Sequence, residues 1–260
     1  VKKISDFVKD KPHNLQLHTD IIGNLTRTGN WFYNLNEDHR ILGEILSQSD
    51  FPALSIDATL YQNAGANIVQ QLAYSLAHAN EYLNHFDAKF VLPINFKVAV
   101  GGNYFFEIAK LRALRLLWDT LASEYGISSD CRIIAQPTKR NKTLYDYNTN
   151  MLRTTTECMS AILGGADTVI NLPYDSVYHK DNSFAERIAR NQLLILKNES
   201  YFDQGANPAA GTYYIETLTR QLAEKALELF KSIETGGGFL IQLKNHILQK
   251  KIKESAQKEQ

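Results

Sequence analysis

Hydrophobic positions change period repeatedly along the chain. Apolar residues recur at helical spacing near 63–85, 103–124 and 148–163, with a shorter amphipathic helix at 37–48 that puts Ile41, Leu42, Ile45 and Leu46 on one face. Short β-branched runs fall between them, at Ala53–Ile56, Phe90–Ile94, Arg132–Ala135 and Thr168–Ile170, and Leu15–His18 alternates in strand fashion. Strand and helix alternating at intervals of about forty residues predict βα units on a parallel sheet. Beyond residue 200 the alternation stops. Ile215, Leu218, Leu222, Ala226, Leu229 and Ile233 step by threes and fours into Gly236-Gly237-Gly238, so a long helix is expected there. The Lys-rich last twenty residues are expected to continue as a thinning helix, and the Lys/Asp-rich residues 1–13 form a surface lead-in.

The stretch from 150 to 192 reads as one complete unit. Met151, Met159, Ile162 and Leu163 mark one buried helix face, and Gly164-Gly165 ends that helix with positive-φ residues. Thr168-Val169-Ile170 has the uncharged, β-branched character of a strand buried on both faces. Ser183 and Glu186 are spaced as a capping box for the next helix.

Composition narrows the function classes. The 260 residues are long enough for one sizeable core, and 28 basic against 28 acidic side chains leave no net charge. Nucleic acid and anionic membranes are therefore poor partners, and no apolar run is long enough to span a bilayer. No secretory signal stands at the N-terminus, so the expected compartment is the cytoplasm. Cys131 and Cys158 are too few for a disulfide framework and read as buried thiols. Seven histidines are scattered without metal-ligand spacing, so no metal site is expected, and no GxSxG, Walker or GxGxxG motif occurs.

Three segments carry a resemblance: RTTTECMSAILGGADTV from Arg153, FAERIARNQ from Phe184 and NPAAGTYYIETLT from Asn207. They resemble the barrel domain of methylmalonyl-CoA mutase, the adenosylcobalamin-dependent isomerase, and the likeness runs from about residue 50 to 240. The fold it implies is α/β, the second half of a TIM-type (β/α)₈ barrel over 1–200 with a C-terminal helical segment over 201–260. An open parallel α/β sheet is the alternative. No cobalamin-binding domain is expected in this chain.

The resemblance also says where chemistry should lie, in the loops at the carboxyl ends of strands. The family histidine that holds the thioester carbonyl falls on Leu60, which neither donates nor titrates. Gln136 matches a substrate-side glutamine, Gln62, Ala64 and Gly65 keep the family pattern and suit either a helix start or a ligand contact, and the basic loop with Lys139, Arg140 and Lys142 offers either a solvated loop or a contact for a CoA phosphate. The inward positions of the second strand, an arginine, a serine and a phenylalanine in the family, are Pro93, Asn95 and Lys97 here. Arg112 and Arg115 match a pair read as structural. Gly101-Gly102 before a helix offers either a tight turn or a phosphate cradle. The family's His-Thr-Asn-Ser-Phe-Asp is Ile170-Asn171-Leu172-Pro173-Tyr174-Asp175 here, and its Asp-x-His-x-x-Gly cobalt-ligand motif is absent from the 260 residues.

The implied reading is a small subunit that is not catalytic by itself. It binds no cofactor, adenosylcobalamin residing on a large catalytic partner, and either that partner or self-association covers the open barrel edges. The alternative is an active or CoA-ester-binding relative with altered substrate residues, for which Gln136, Gln62, Lys139 and Arg140 are the candidates.

Overall fold

The computed structural model describes residues 17–48, 54–86, 93–127, 130–180 and 182–259. Four strands, β1 (Ser55–Asp57), β2 (Asn95–Val100), β3 (Arg132–Pro137) and β4 (Thr168–Val169), form one parallel sheet in the order β1-β2-β3-β4. A single bridge from Thr19 to Leu54 extends it on the β1 side. The helices are α1 (Ile21–Thr28), α2 (Leu35–Gln48), α3 (Thr59–Ala64), α4 (Ile68–His85), α5 (Tyr104–Glu124), α6 (Thr149–Leu163), α7 (Ser183–Asn198), α8 (Tyr213–Thr235), α9 (Phe239–Lys244) and α10 (Ile247–Glu259).

Each βα unit steps one place in the same direction. A doubly wound sheet reverses direction at a switch point, and the described strands contain no reversal. In-order parallel pairing is the arrangement of an arc of a (β/α)₈ barrel. The two faces of the arc differ in chemistry. Ile56, Phe96, Val98, Val100, Ile133 and Ala135 are buried toward the helices, Phe96 meeting Trp118 of α5 edge-to-face at 5.3 Å. Ser55, Asp57, Asn95, Lys97, Arg132, Ile134 and Gln136 alternate with them and face the other way. α8 lies against α4 and α5, adding Leu222, Ala226, Phe230 and Ile233 to the same core.

Local signals explain most element ends. α4 opens with a capping box, the Asn67 side chain accepting from Gln70 N while the Gln70 side chain accepts from Asn67 N. Gly65 ends α3 with φ +110°, and a Cβ there would come 2.5 Å from Cβ of Ala256 in α10. The helix expected over 63–85 is thus broken in two at this glycine.

Several expectations need correction. The second strand runs over Asn95–Val100, later than the predicted Phe90–Ile94; residues 90–92 lie outside the described residues, as do Leu15 and Gln16. It is the Phe96-Val98-Val100 alternation, not the continuous apolar run, that packs on the helices. Among the described strands β4 is an edge with one neighbour, and Thr168 is exposed and Val169 half-buried rather than buried on both faces. The buried face of α6 is Thr154, Glu157, Cys158, Ser160 and Ala161; Met151, Met159, Ile162 and Leu163 are only half-buried. α7 is capped by Asn182, whose side chain accepts from Phe184 N, so Ser183 is the first helical residue rather than the cap. Of the two glycines after α6, Gly165 alone has positive φ. The C-terminal helix is two helices, parted at His246, which has φ 58°.

Cys131 and Cys158 are buried free thiols, and burial pushes both pKa values up to about 12. No described helix is long and apolar enough to cross a membrane.

Candidate functional site

β1 delivers the chain directly into α3, the short helix that carries Leu60 and Gln62. Leu60 is half-buried on the first turn. Gln62 is buried, and its Oε1 accepts from Nζ of Lys110 at 3.0 Å. That ammonium is itself fully buried. It donates to Oε1 of Gln71 at 3.0 Å and to the Ala99 carbonyl at 2.7 Å, and it is ion-paired with Glu107 one turn earlier on α5. The Gly101-Gly102 turn stands against this cluster. A Cβ on Gly101 would come 2.7 Å from Nε2 of Gln62 and 3.2 Å from Oε1 of Glu107. The turn is glycine at Gly101 because the Gln62 amide and the Glu107 carboxylate crowd it, and that carboxylate would repel a phosphate.

The basic loop after β3 is also engaged. Lys142 Nζ bonds both carboxylate oxygens of Glu157, at 2.9 and 2.7 Å, and both side chains are buried. Burial lowers the pKa of Lys142 and raises that of Glu157, and their mutual attraction offsets this only in part. Arg140 pairs with Glu259 at the end of α10. Lys139 is exposed, its backbone N–H donating to Asn63 Oδ1. Gln136 is half-buried, paired through its backbone with β2, and its side chain has no hydrogen-bond partner among the described residues.

The four candidates therefore do not converge. Gln62 and Arg140 border one cavity of about 1020 Å³, with Gly101, Glu107 and Lys225, whereas Gln136 and Lys139 do not line it. In the loop after β4, Asn171 donates to Gln192 Oε1 at 2.9 Å, and Asp175 accepts from Asn182 at 2.5 Å. Tyr174 stacks on Tyr147, ring centroids 5.9 Å apart.

A second polar cluster was not foreseen. Asp20 Oδ1 accepts from His78 Nε2 at 3.0 Å, Tyr82 OH at 2.8 Å and Gly23 N at 2.7 Å, while Oδ2 accepts from Asp57 N at 2.8 Å. The other ring nitrogen of His78 meets Tyr61 OH at 2.9 Å. Burial raises the pKa of Asp20, but the charge and hydrogen bond of His78 and the two amides outweigh it and hold the carboxyl below its ordinary value. The sequence signal was Asp20 as N-cap of the Ile21-Ile22-Gly23 turn.

The segments that carried the resemblance are tied together, partly to one another and partly through α5. Arg112 of α5 donates to Glu216 at 2.5 Å and to Asn207 at 2.7 Å. Arg115 donates to Asp167 at 2.9 Å and to the carbonyls of Cys131 and Gly165. Gln192 of α7 donates to Thr155 at 2.6 Å and to the Met151 carbonyl on α6. A Cβ on Gly164 would come 2.8 Å from a Leu111 methyl. Both arginines are structural, as expected.

Comparison with known proteins agrees. The family model described as methylmalonyl-CoA mutase matches residues 11–260. A methylmalonyl-CoA mutase small subunit of Porphyromonas gingivalis is 41% identical over 216 residues, covering 79% of this chain and 35% of that protein. One from Streptomyces virginiae is 37% identical, covering 89% of this chain and 39% of its own length. The large subunit of Porphyromonas gingivalis is 29% identical over 94% of this chain and 36% of its own. The chain thus spans little more than a third of the relatives it matches. With the matched segments clasped together in an in-order parallel sheet, the chain belongs to the methylmalonyl-CoA mutase family.

Proposed function

We propose that this chain is a non-catalytic, small-subunit-like part of a mutase of this family, and that it supports the barrel of a large catalytic partner. The observation that carries this reading is Leu60, at the head of α3 and the carboxyl end of β1. The family's thioester-holding histidine is expected there, and leucine can neither polarise a carbonyl nor move a proton. Around it the polar groups serve the protein itself: Gln62 is held by Lys110, Arg140 by Glu259 and Lys142 by Glu157.

On this reading the isomerisation of methylmalonyl-CoA and its adenosylcobalamin belong to the partner. Three of the described histidines are already engaged within the chain. His78 is fully buried between Asp20 and Tyr61, His39 bonds the Leu35 carbonyl of its own helix, and His179 sits 3.3 Å from Asp175. Among the described residues no three His, Cys, Asp or Glu side chains converge. The sheet arc leaves β4 with one neighbour, a surface for the large partner or for self-association to cover.

The test is affinity isolation of the natural polypeptide from its own cells, with mass spectrometry of what accompanies it. A stoichiometric larger mutase chain bearing the Asp-x-His-x-x-Gly motif is expected; recovery without one overturns the scaffold reading. The Gln136 side chain, without a hydrogen-bond partner among the described residues, and the exposed Lys139 favour the second reading, retained binding of a CoA ester. Calorimetry with methylmalonyl-CoA decides that: heat of binding supports it, and no heat removes it.

A further inference from the structure

α10 is fastened to the protein differently from the helices around it. Of its 13 residues only Leu248, in the first turn, is buried, and Ile252, one turn on, is half-buried. Past Ile252 the apolar anchorage gives out, and small and polar contacts take over. Ala256 lies against Gly65, Gln70 Nε2 donates to the Lys251 carbonyl at 3.2 Å, and Glu259 pairs with Arg140. α9, by contrast, is rooted in the core: Phe239 is fully buried, and Gln242 Nε2 donates to the Ile233 carbonyl at 3.1 Å. Between the two helices stands His246, exposed and at φ 58°. A side chain disfavours that left-handed conformation, and residues so held cluster at switch segments.

The far end of α10 closes a space. Arg140 and Glu259 both line the cavity of about 1020 Å³ that Gly101, after β2, and Thr138, after β3, also border. Ala66, on its wall, is 1% exposed. The closing pair is open to water, the Arg140 side chain 26% and that of Glu259 58% exposed. Such a pair holds weakly and is screened by salt. Few buried apolar contacts and solvent-exposed fastenings are the marks of a segment that opens on its own, well below the free energy of global unfolding.

We propose that α10 is a strap, hinged at His246 and latched by Arg140–Glu259, whose undocking opens the cavity at the carboxyl ends of β2 and β3 while the sheet stays folded. The latch is also an autoinhibitory contact. While it is closed, the chain's own Glu259 carboxylate occupies the Arg140 guanidinium, which is thereby withheld from an anion arriving at these loops. Undocking frees the guanidinium and uncovers the cavity wall in one movement. This goes beyond the scaffold reading and rests on neither reading of the function.

Native-state hydrogen exchange of the natural polypeptide tests the strap, read by mass spectrometry of peptides from α10, β2 and α5. Exchange over residues 247–259 is expected to be faster than in β2 and α5. Glu259→Gln should speed it a further two- to fivefold, the range for losing an exposed ion pair at about 0.2–1 kcal/mol. Sodium chloride at about 1 M should have the same effect on the parent and little on Glu259→Gln, whose latch is already gone. Glu254→Gln, which removes an acid from the same helix that has no ion-pair partner among the described residues, should change nothing. Exchange of α10 at the rate of β2 and α5 overturns the strap, and an equal effect of Glu254→Gln and Glu259→Gln overturns the latch. Opening of the cavity is read separately by placing a thiol on its wall. Ala66→Cys should react with a maleimide faster than the buried Cys131 and Cys158, and faster again when combined with Glu259→Gln. Labelling of all three thiols at one rate reports global unfolding and overturns the proposal.

Discussion

Nζ of Lys110, on α5, donates to the backbone carbonyl of Ala99, on β2, across 2.7 Å in a position fully shut off from solvent. Through the same ammonium the sheet, α3, α4 and α5 are joined, since Gln62, Gln71 and Glu107 all meet it. Lys110→Met leaves the Glu107 carboxylate buried without its cation, a situation that costs about 3–5 kcal/mol. A Tm lowered by roughly 10 °C is expected for a chain of this size. Adding Glu107→Gln to Lys110→Met should recover part of the loss, and thermal melts of the pair check it.

Asp20 gives a pH dependence with a definite sign. Its folded pKa lies below the ordinary value, so its stabilisation is complete above the unfolded carboxyl pKa and is lost as pH falls through the folded one. Asp20→Asn is expected to cost about 2 kcal/mol at neutral pH through loss of charge-assisted bonds to His78, Tyr82 and two amides. Urea melts from about pH 6 to pH 3 should show a shallower acid decline in the variant than in the parent.

The buried pair Lys142–Glu157 should behave in the opposite sense when both members are removed. Burial moves both pKa values toward the neutral forms, so the ionised pair is held at a desolvation cost. Glu157→Gln alone strands the ammonium and is expected to cost about 3 kcal/mol or more. Lys142→Met with Glu157→Gln should lie within about 1 kcal/mol of the parent. A double-mutant cycle in urea measures the coupling directly.

Gly65 couples α3 to the C-terminal helix. Gly65→Ala meets both an unfavourable φ of +110° and the Ala256 side chain at 2.5 Å. α10 is further held by Arg140–Glu259 and by Gln70 donating to the Lys251 carbonyl. The substitution should raise hydrogen exchange over residues 247–259 well beyond that in β2 or α5. Gly65→Ala with Ala256→Gly should relieve the contact but keep the backbone strain, so recovery is partial.

Periodic apolar spacing made α5 and α8 legible nearly to the residue, because each has one broad face against the core. β2 was harder to place: Asn95 and Lys97 on its inner face disguise a strand whose other face is Phe96, Val98 and Val100. α6 misled for a related reason. Its buried side holds Thr154 and Glu157, polar groups whose partners, Gln192 and Lys142, lie elsewhere in the chain. At the candidate site, it was the resemblance alone that set Leu60 at a position expected to hold a titrating side chain. That Gln62 and Arg140 are already held was not, since Lys110 and Glu259 reach them only through tertiary packing.

Strands laid down strictly in chain order have a consequence for synthesis. Each strand emerging from the ribosome finds its pairing partner already made, so the sheet can grow by accretion without waiting for distant sequence. α8 departs from that rule, because it returns to α4 and α5 after β4 is complete. Folding therefore divides into an early vectorial phase and a late closing step, and a nascent chain halted before residue 213 would hold its strands but lack the clasp across them.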